Sequence, residues 1–188
     1  MNLRRVILTL TAAVVLLVTG CQSDASKDEE VNALFGELMK RPHIEAMEAD
    51  YLGMMATIRD ALIAEIGVEP WAPAREPISG SGCGGDLASL RGDGAVRRYS
   101  SGASPGNIAD SDWPRARKLV TELANEQGFG APQVVVDRPG DHEVSLKDAY
   151  GAELLFGTAV NTTLSVSTGC HLTREAHERG TPEDEPLY

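Results

Sequence analysis

Hydrophobic and polar positions divide the chain into zones of different period. Val6–Val18 is an apolar run of 13 residues, interrupted only by Thr9 and Thr11. From residue 31 the apolar positions take helical spacing. Val31, Leu34, Phe35 and Leu38 predict a short helix stopped near Arg41-Pro42. Met47, Tyr51, Met54, Met55, Ile58, Leu62 and Ile66 predict a longer one, from Ile44 to a stop at Gly67. Residues 68–94 are dense in Gly and Pro and read as loop, with Trp71 pinned against the core or a neighbouring helix. Ala95 to Ser101 predicts a short strand. Trp113, Ala116, Leu119, Val120, Leu123 and Ala124 then mark a second clear helix, capped by Ser111 or Asp112, with Pro114 in its first turn and Gly128 at its end. Beyond it the period shortens to two. Gln133–Asp137, Glu143–Lys147, Glu153–Val160 and Thr163–Leu172 predict strands. In the last of these Leu164, Val166, Thr168, Cys170 and Leu172 share the inner face, and His171 falls on the outer, wetter one.

Together these elements predict an α+β domain: an antiparallel sheet of about four to five strands with two main helices packed on one face and one disulfide. No period of 20–50 residues repeats. The expected layout is a leader over 1–20, a flexible polar tether over 21–30, one domain over 31–173 and a disordered charged tail over 174–188.

The leader has the order of a secretory signal: Arg4 and Arg5, then the apolar run, then Thr19, Gly20 and Cys21. That run is too short to span hydrocarbon, which takes about 20 apolar residues. Val18, Thr19, Gly20 and Cys21 look like the lipobox of bacterial lipoproteins. In that motif the cysteine thiol receives a diacylglyceryl group and cleavage follows just before it. Two acyl chains anchor firmly, at about 0.8 kcal/mol per buried CH₂. The expected location is therefore the extracytoplasmic face of the cell membrane, with Cys21 as lipid anchor.

Charge narrows the partners. Loss of residues 1–20 removes two arginines and no acid, so the net charge moves from −11 to −13. Such a balance argues against nucleic acid and against electrostatic attachment to anionic lipid. An envelope protein or a lipid stays open as partner.

Cys83 and Cys170 remain as an even pair in an oxidising compartment, and a disulfide between them is the expectation. It would close a loop of about 88 residues, for which the chain-entropy account gives roughly 4–5 kcal/mol. Other chemistry finds little support. His43, His142, His171 and His177 have no zinc-ligand spacing, no Gly-x-Ser-x-Gly elbow is present, and both mature cysteines are assigned to the disulfide. Ser79–Gly85 is glycine-rich but lacks the Gly-Lys-Ser/Thr of a phosphate loop. Arg91-Gly92-Asp93 matches an adhesion tripeptide, a match of a length common by chance. Neither an enzyme, a metal nor a cofactor is expected. The expected role is a binding or accessory module of the envelope; the alternative is a structural or surface-display protein that interacts without a ligand pocket. An enclosed apolar cavity would favour the former, and a packed core with exposed apolar surface the latter.

Lipobox, long helix, Gly-Cys loop, the helix Trp113-Pro114-Arg115-Ala116…Leu119-Val120 and the strand Thr163-Leu164-Ser165-Val166…Gly169-Cys170-His171-Leu172 together resemble the LppA-like lipoproteins of actinobacteria. The resemblance spans most of the mature chain. It implies a cell-surface lipoprotein and supplies no catalytic residues.

Overall fold

A computed structural model describes residues 22–183. Helix α1 (Gln22–Leu38) is followed by α2 (Ile44–Ala61), which runs on through a wider π turn, Leu62–Ile66, to Gly67 in the left-handed region (φ 82°). Strand β1 (Ile78–Gly82), a 3-10 segment (Gly85–Asp93) and strand β2 (Gly94–Pro105) come next. Then follow α3 (Trp113–Asn125), β3 (Gln133–Arg138), β4 (Asp141–Lys147), β5 (Glu153–Thr158), β6 (Asn161–Ser167), β7 (His171–Leu172) and α4 (Arg174–Arg179).

The strands form one antiparallel sheet in the order β1-β2-β6-β5-β4-β3, with β7 pairing the start of β2. The class is as expected, and the sheet has seven strands where about four to five were anticipated. The two extra ones are β1 and β7. β1 hides in Ile-Ser-Gly-Ser-Gly, which carries no alternating apolar signal because all five residues are exposed at an edge.

Helices α2 and α3 cover one face. Tyr51, Met54, Ile58, Leu62, Trp113, Ala116 and Val120 pack onto Tyr99, Val144, Leu146, Leu154, Phe156, Leu164 and Val166 to make the main core. The methionines at 47, 54 and 55 belong to it, and Trp71 packs against it half-buried, as anticipated. A second, smaller core joins α1, the 3-10 segment, β7 and α4: Phe35, Leu38, Leu90, Leu172 and Ala176 surround Cys83 and Cys170. Those two cysteines form the disulfide, with Cα atoms 5.6 Å apart.

Four further expectations are corrected. The expected flexible tether over 21–30 is helical from Gln22 on, as the start of α1. Residues 174–183 of the expected disordered tail are structured: Thr173 caps α4 by accepting from Ala176 N at 3.2 Å, and Asp93 accepts from the Arg179 guanidinium and from Glu183 N. Residues 184–188 lie outside the described residues. The strand Thr163–Leu172 is broken into β6 and β7 at Thr168-Gly169-Cys170, so His171 turns inward with no exposed surface. Strand β5 stops at Thr158, and Val160 stands 84% exposed in the turn after it.

Candidate functional site

The predicted lipobox residues Val18, Thr19, Gly20 and Cys21 lie outside the described residues. Among those described, two places concentrate chemistry.

The first is at the β3 end of the sheet. Asp137 on β3 pairs across the ladder with His142 on β4, so both side chains stand on the helix-covered face. The loop into α3 supplies Asp110. His142 is buried, its Nδ1 lies 2.8 Å from Asp137 Oδ1, and its Nε2 lies 3.1 Å from Asp110 Oδ1. Its ring stacks on Trp113, centroids 5.2 Å apart, and Trp113 stacks in turn on Phe156 at 5.1 Å. Asp110 Oδ1 also accepts from Gly140 N in the β3–β4 turn at 2.8 Å. That backbone bond, followed by the one from His142, holds the Asp110 carboxyl below the usual carboxylate range.

An aspartate beside a histidine invites a catalytic reading, but the geometry supplies something else. Both imidazole nitrogens are engaged by carboxylates, and no nitrogen is left to take a substrate proton or bind a metal. Among the described residues no group of three or more His, Cys, Asp or Glu could hold a metal ion. What the arrangement does is pin the β3–β4 hairpin to the entry of α3. The clasp escaped the sequence reading because its three polar members are 27 and 5 residues apart and match no motif; a histidine on the inner parity of β4 was the one available signal.

Beside this clasp runs the outer edge of β3. Val134 is 58% exposed and Val135 53%. The pairing with β4 skips Val135, a bulge between Val134 and Val136. Among the described residues no strand lies beyond β3 in the sheet.

The second place is an open cleft of about 1230 Å³ between α1, the 3-10 segment and the chain after α4, walled by Lys27, Asp28, Glu30, Asp86, Arg91 and Glu183. A smaller recess of about 260 Å³ lies between α2 and α3 beside Asp50, Thr57 and Glu126. Both are open to solvent; the smaller is mainly polar, and the larger mixes polar and apolar lining. The Asp93 of the Arg-Gly-Asp tripeptide is buried and held by Arg179 and Glu183 N, so the tripeptide is not displayed as an adhesion loop.

A third cluster is structural. Tyr51 Oη donates to Asp148 Oδ2 at 2.5 Å, and Asp148 Oδ1 accepts from Tyr150 N and Ala152 N. Burial first, then Asp148, pushes the Tyr51 phenol well above its ordinary range. His171 Nδ1 donates to the Pro42 carbonyl at 2.9 Å, its Nε2 has no partner among the described residues, and burial lowers its affinity for a proton. His43 and His177 approach edge to face, at 6.1 Å between ring centroids, without a shared ligand.

A helix-backed antiparallel sheet with one flank locked by a disulfide and the other left as a free edge defines a compact α+β domain. The chain belongs to the LppA family: the family model, described as a lipoprotein confined to pathogenic Mycobacterium, matches residues 19–174. Its fold is similar to that of the crystal structure of LppA from Mycobacterium tuberculosis, with a TM-score of 0.60 and 14% identity over 86% of this chain and 96% of that one. A crystal structure of a DUF4853 family protein from Actinomyces odontolyticus aligns with a TM-score of 0.49 and 22% identity, over 78% of this chain and 73% of that one. No curated protein matches the chain.

Proposed function

We propose that the chain is a lipoprotein of the cell envelope, held on the extracytoplasmic face of the membrane by acyl chains on Cys21, and that its folded domain works by surface contact with another envelope component rather than by enclosing a ligand. Two things support the anchor. The family match begins at Thr19 and so includes Cys21. The residues before it have the order of a lipoprotein signal.

The observation that carries the surface-contact reading is the pair of valines left in solvent on the outer edge of β3. The largest core side chains, among them Tyr51, Tyr99, Phe156 and Leu154, have almost no exposed surface, and the two cavities described are open to solvent.

Two measurements test the reading. Cys21→Ser should abolish labelling by a radioactive fatty acid and shift the chain from the membrane to the soluble fraction or leave it as the unprocessed precursor; unchanged labelling and retention would overturn the anchor. Photo-crosslinkers placed singly at exposed positions such as Val134, Val160 and Ile78 in intact cells should trap a defined protein adduct from at least one position. A stoichiometric small molecule co-purifying with the chain in native mass spectrometry, with no adduct from any position, would return the role to ligand binding.

A further inference from the structure

We infer that the outer edge of β3 is a strand-addition site for a short extended peptide segment carrying an apolar residue and, two positions along, a basic one. The inference rests on the surface-contact reading and gives it a place and a partner chemistry.

An edge strand presents unpaired N–H and C=O groups that can template another strand, and side chains on alternate positions then confer selectivity. On β3 the two side-chain positions on the helix side are Val134 and Asp137, which oppose Val144 and His142 on β4. They are three residues apart because the bulge at Val135 absorbs one. A regular incoming strand meets them two residues apart, so the complementary pattern is apolar–x–basic.

Charge selects the base. The side chains of Asp137 and Asp110 are 67% and 54% exposed, and both lean on the single ring of His142. One imidazolium at most offsets one of the two carboxylates, which leaves this flank acidic. Arg138, the nearest cation on β3, is already occupied by Asp141, with Nε and Nη2 at 2.8 and 2.6 Å from the same Oδ2. A whole-chain charge of −11 strengthens the preference for a basic segment and disfavours a second copy of the chain.

Two features make the edge a binding site rather than a sticky one. The clasp through Asp110, His142 and Gly140 N holds the hairpin in place before a partner arrives, which lowers the ordering cost of binding. The bulge limits flat pairing to a few residues and so excludes long self-templating. Placement also fits. The helix that follows Cys21 packs at the β7 and 3-10 side, next to β2, while β3 lies four strand steps from β2, roughly 19 Å across the sheet. The free edge therefore faces away from the anchored flank.

The test uses the mature lipidated chain in detergent micelles, with hydrogen exchange read by mass spectrometry. The probe is a blocked heptapeptide, Thr-Val-Thr-Lys-Thr-Val-Thr, at millimolar concentration. Amides of residues 133–138 should slow by about tenfold, as expected for amides taken into a ladder at near-saturation. Replacing the peptide lysine by glutamate should weaken binding by about tenfold in low salt and by less as salt is added. Val134→Thr, at an exposed position that leaves the core untouched, should weaken it by roughly fivefold, the worth of one cross-strand pair. Protection that appears on β1 or nowhere overturns the site. Equal binding of the glutamate peptide overturns the partner chemistry. Protection of 133–138 without peptide, rising with protein concentration, assigns the edge to a second copy and overturns the proposal. Should crosslinks arise only from Val160 or Ile78 while β3 stays unprotected, the surface-contact reading stands and this inference alone falls.

Discussion

His171 shows how one side chain can make the whole fold sensitive to acid. The ring is fully buried, its Nδ1–H is committed to the Pro42 carbonyl, and Tyr150 packs edge-on at 5.5 Å. Burial disfavours the imidazolium, so the native ring binds a proton more weakly than an ordinary histidine near pH 6.5. The unfolded chain takes up that proton first as pH falls. Stability from this site is thus complete above about pH 6.5 and declines below it. We expect the urea midpoint to drop between pH 6.5 and 5, and His171→Phe to flatten that slope. At pH 7.5 the same variant should be less stable by about 1–3 kcal/mol, because the Pro42 carbonyl loses its donor; parallel slopes for the two proteins would refute the account. Tyr51 works at the other end of the scale. Its phenol holds its proton more tightly in the native state, so its contribution is full below about pH 10 and is lost as pH rises further. Tyr51→Phe should cost about 1.5–3 kcal/mol at neutral pH, the worth of a hydrogen bond to a charged acceptor. It should also shallow the alkaline decline, as followed by circular dichroism.

Elements differ in how far the sequence announces them. Helices α2 and α3 were legible because their buried stripes recur every three or four residues, and β4 because its inner and outer residues alternate. β1 and β7 were not, since one has no buried residue and the other is two residues long. The break at Thr168-Gly169-Cys170 was also invisible. Thr168 Oγ1 accepts from Arg97 N at 3.0 Å, and that side-chain bond replaces a ladder bond where β6 ends. Alternation carried on through the break misplaced His171, although it placed Cys170 correctly. Of the candidate site, the cysteine pair could be read from composition and compartment, whereas the His142 clasp depends on contacts between distant residues. Local conformation also separates two glycines that look alike in sequence. Gly102 has φ +80°, and a Cβ there would lie 2.0 Å from the Ala72 carbonyl oxygen, where β2 bridges to the loop after Trp71. Gly36, inside α1, would meet nothing within 4 Å. Gly102→Ala should therefore destabilise by more than about 3 kcal/mol. Gly36→Ala should stabilise by about 0.5–1 kcal/mol, given the poor helix propensity of glycine. Denaturant midpoints moving in opposite directions would support both; two losses would mean that α1 is not built as described.

At the scale of the molecule, two cores of unequal strength share one sheet. The larger lies between α2, α3 and the central strands, and its contacts are dense and aromatic. The smaller contains Phe35, Leu38, Leu90, Leu172 and Ala176, and the disulfide lies among them. α1 and α4 reach the sheet chiefly through this second core, so the Cys83–Cys170 bond and the apolar contacts around it hold these two helices to the rest. Removing the cross-link as a double Cys→Ala variant should lower global stability by about 2–5 kcal/mol. The loss should not be evenly spread. Structures open in cooperative units, and the unit with the smaller buried surface opens first. Under conditions where the variant still folds, amides of α1, the 3-10 segment and α4 should exchange much faster than in the oxidised chain, while those of β4, β5 and β6 keep most of their protection. Asp93 gives an independent check. Its bonds to Arg179 and to Glu183 N close the same flank from the other side, so Asp93→Asn should speed exchange in α4 and leave β5 unchanged. A uniform loss across the sheet in both variants would show the two cores to be a single cooperative unit, and the view of a separately fastened flank would have to be abandoned.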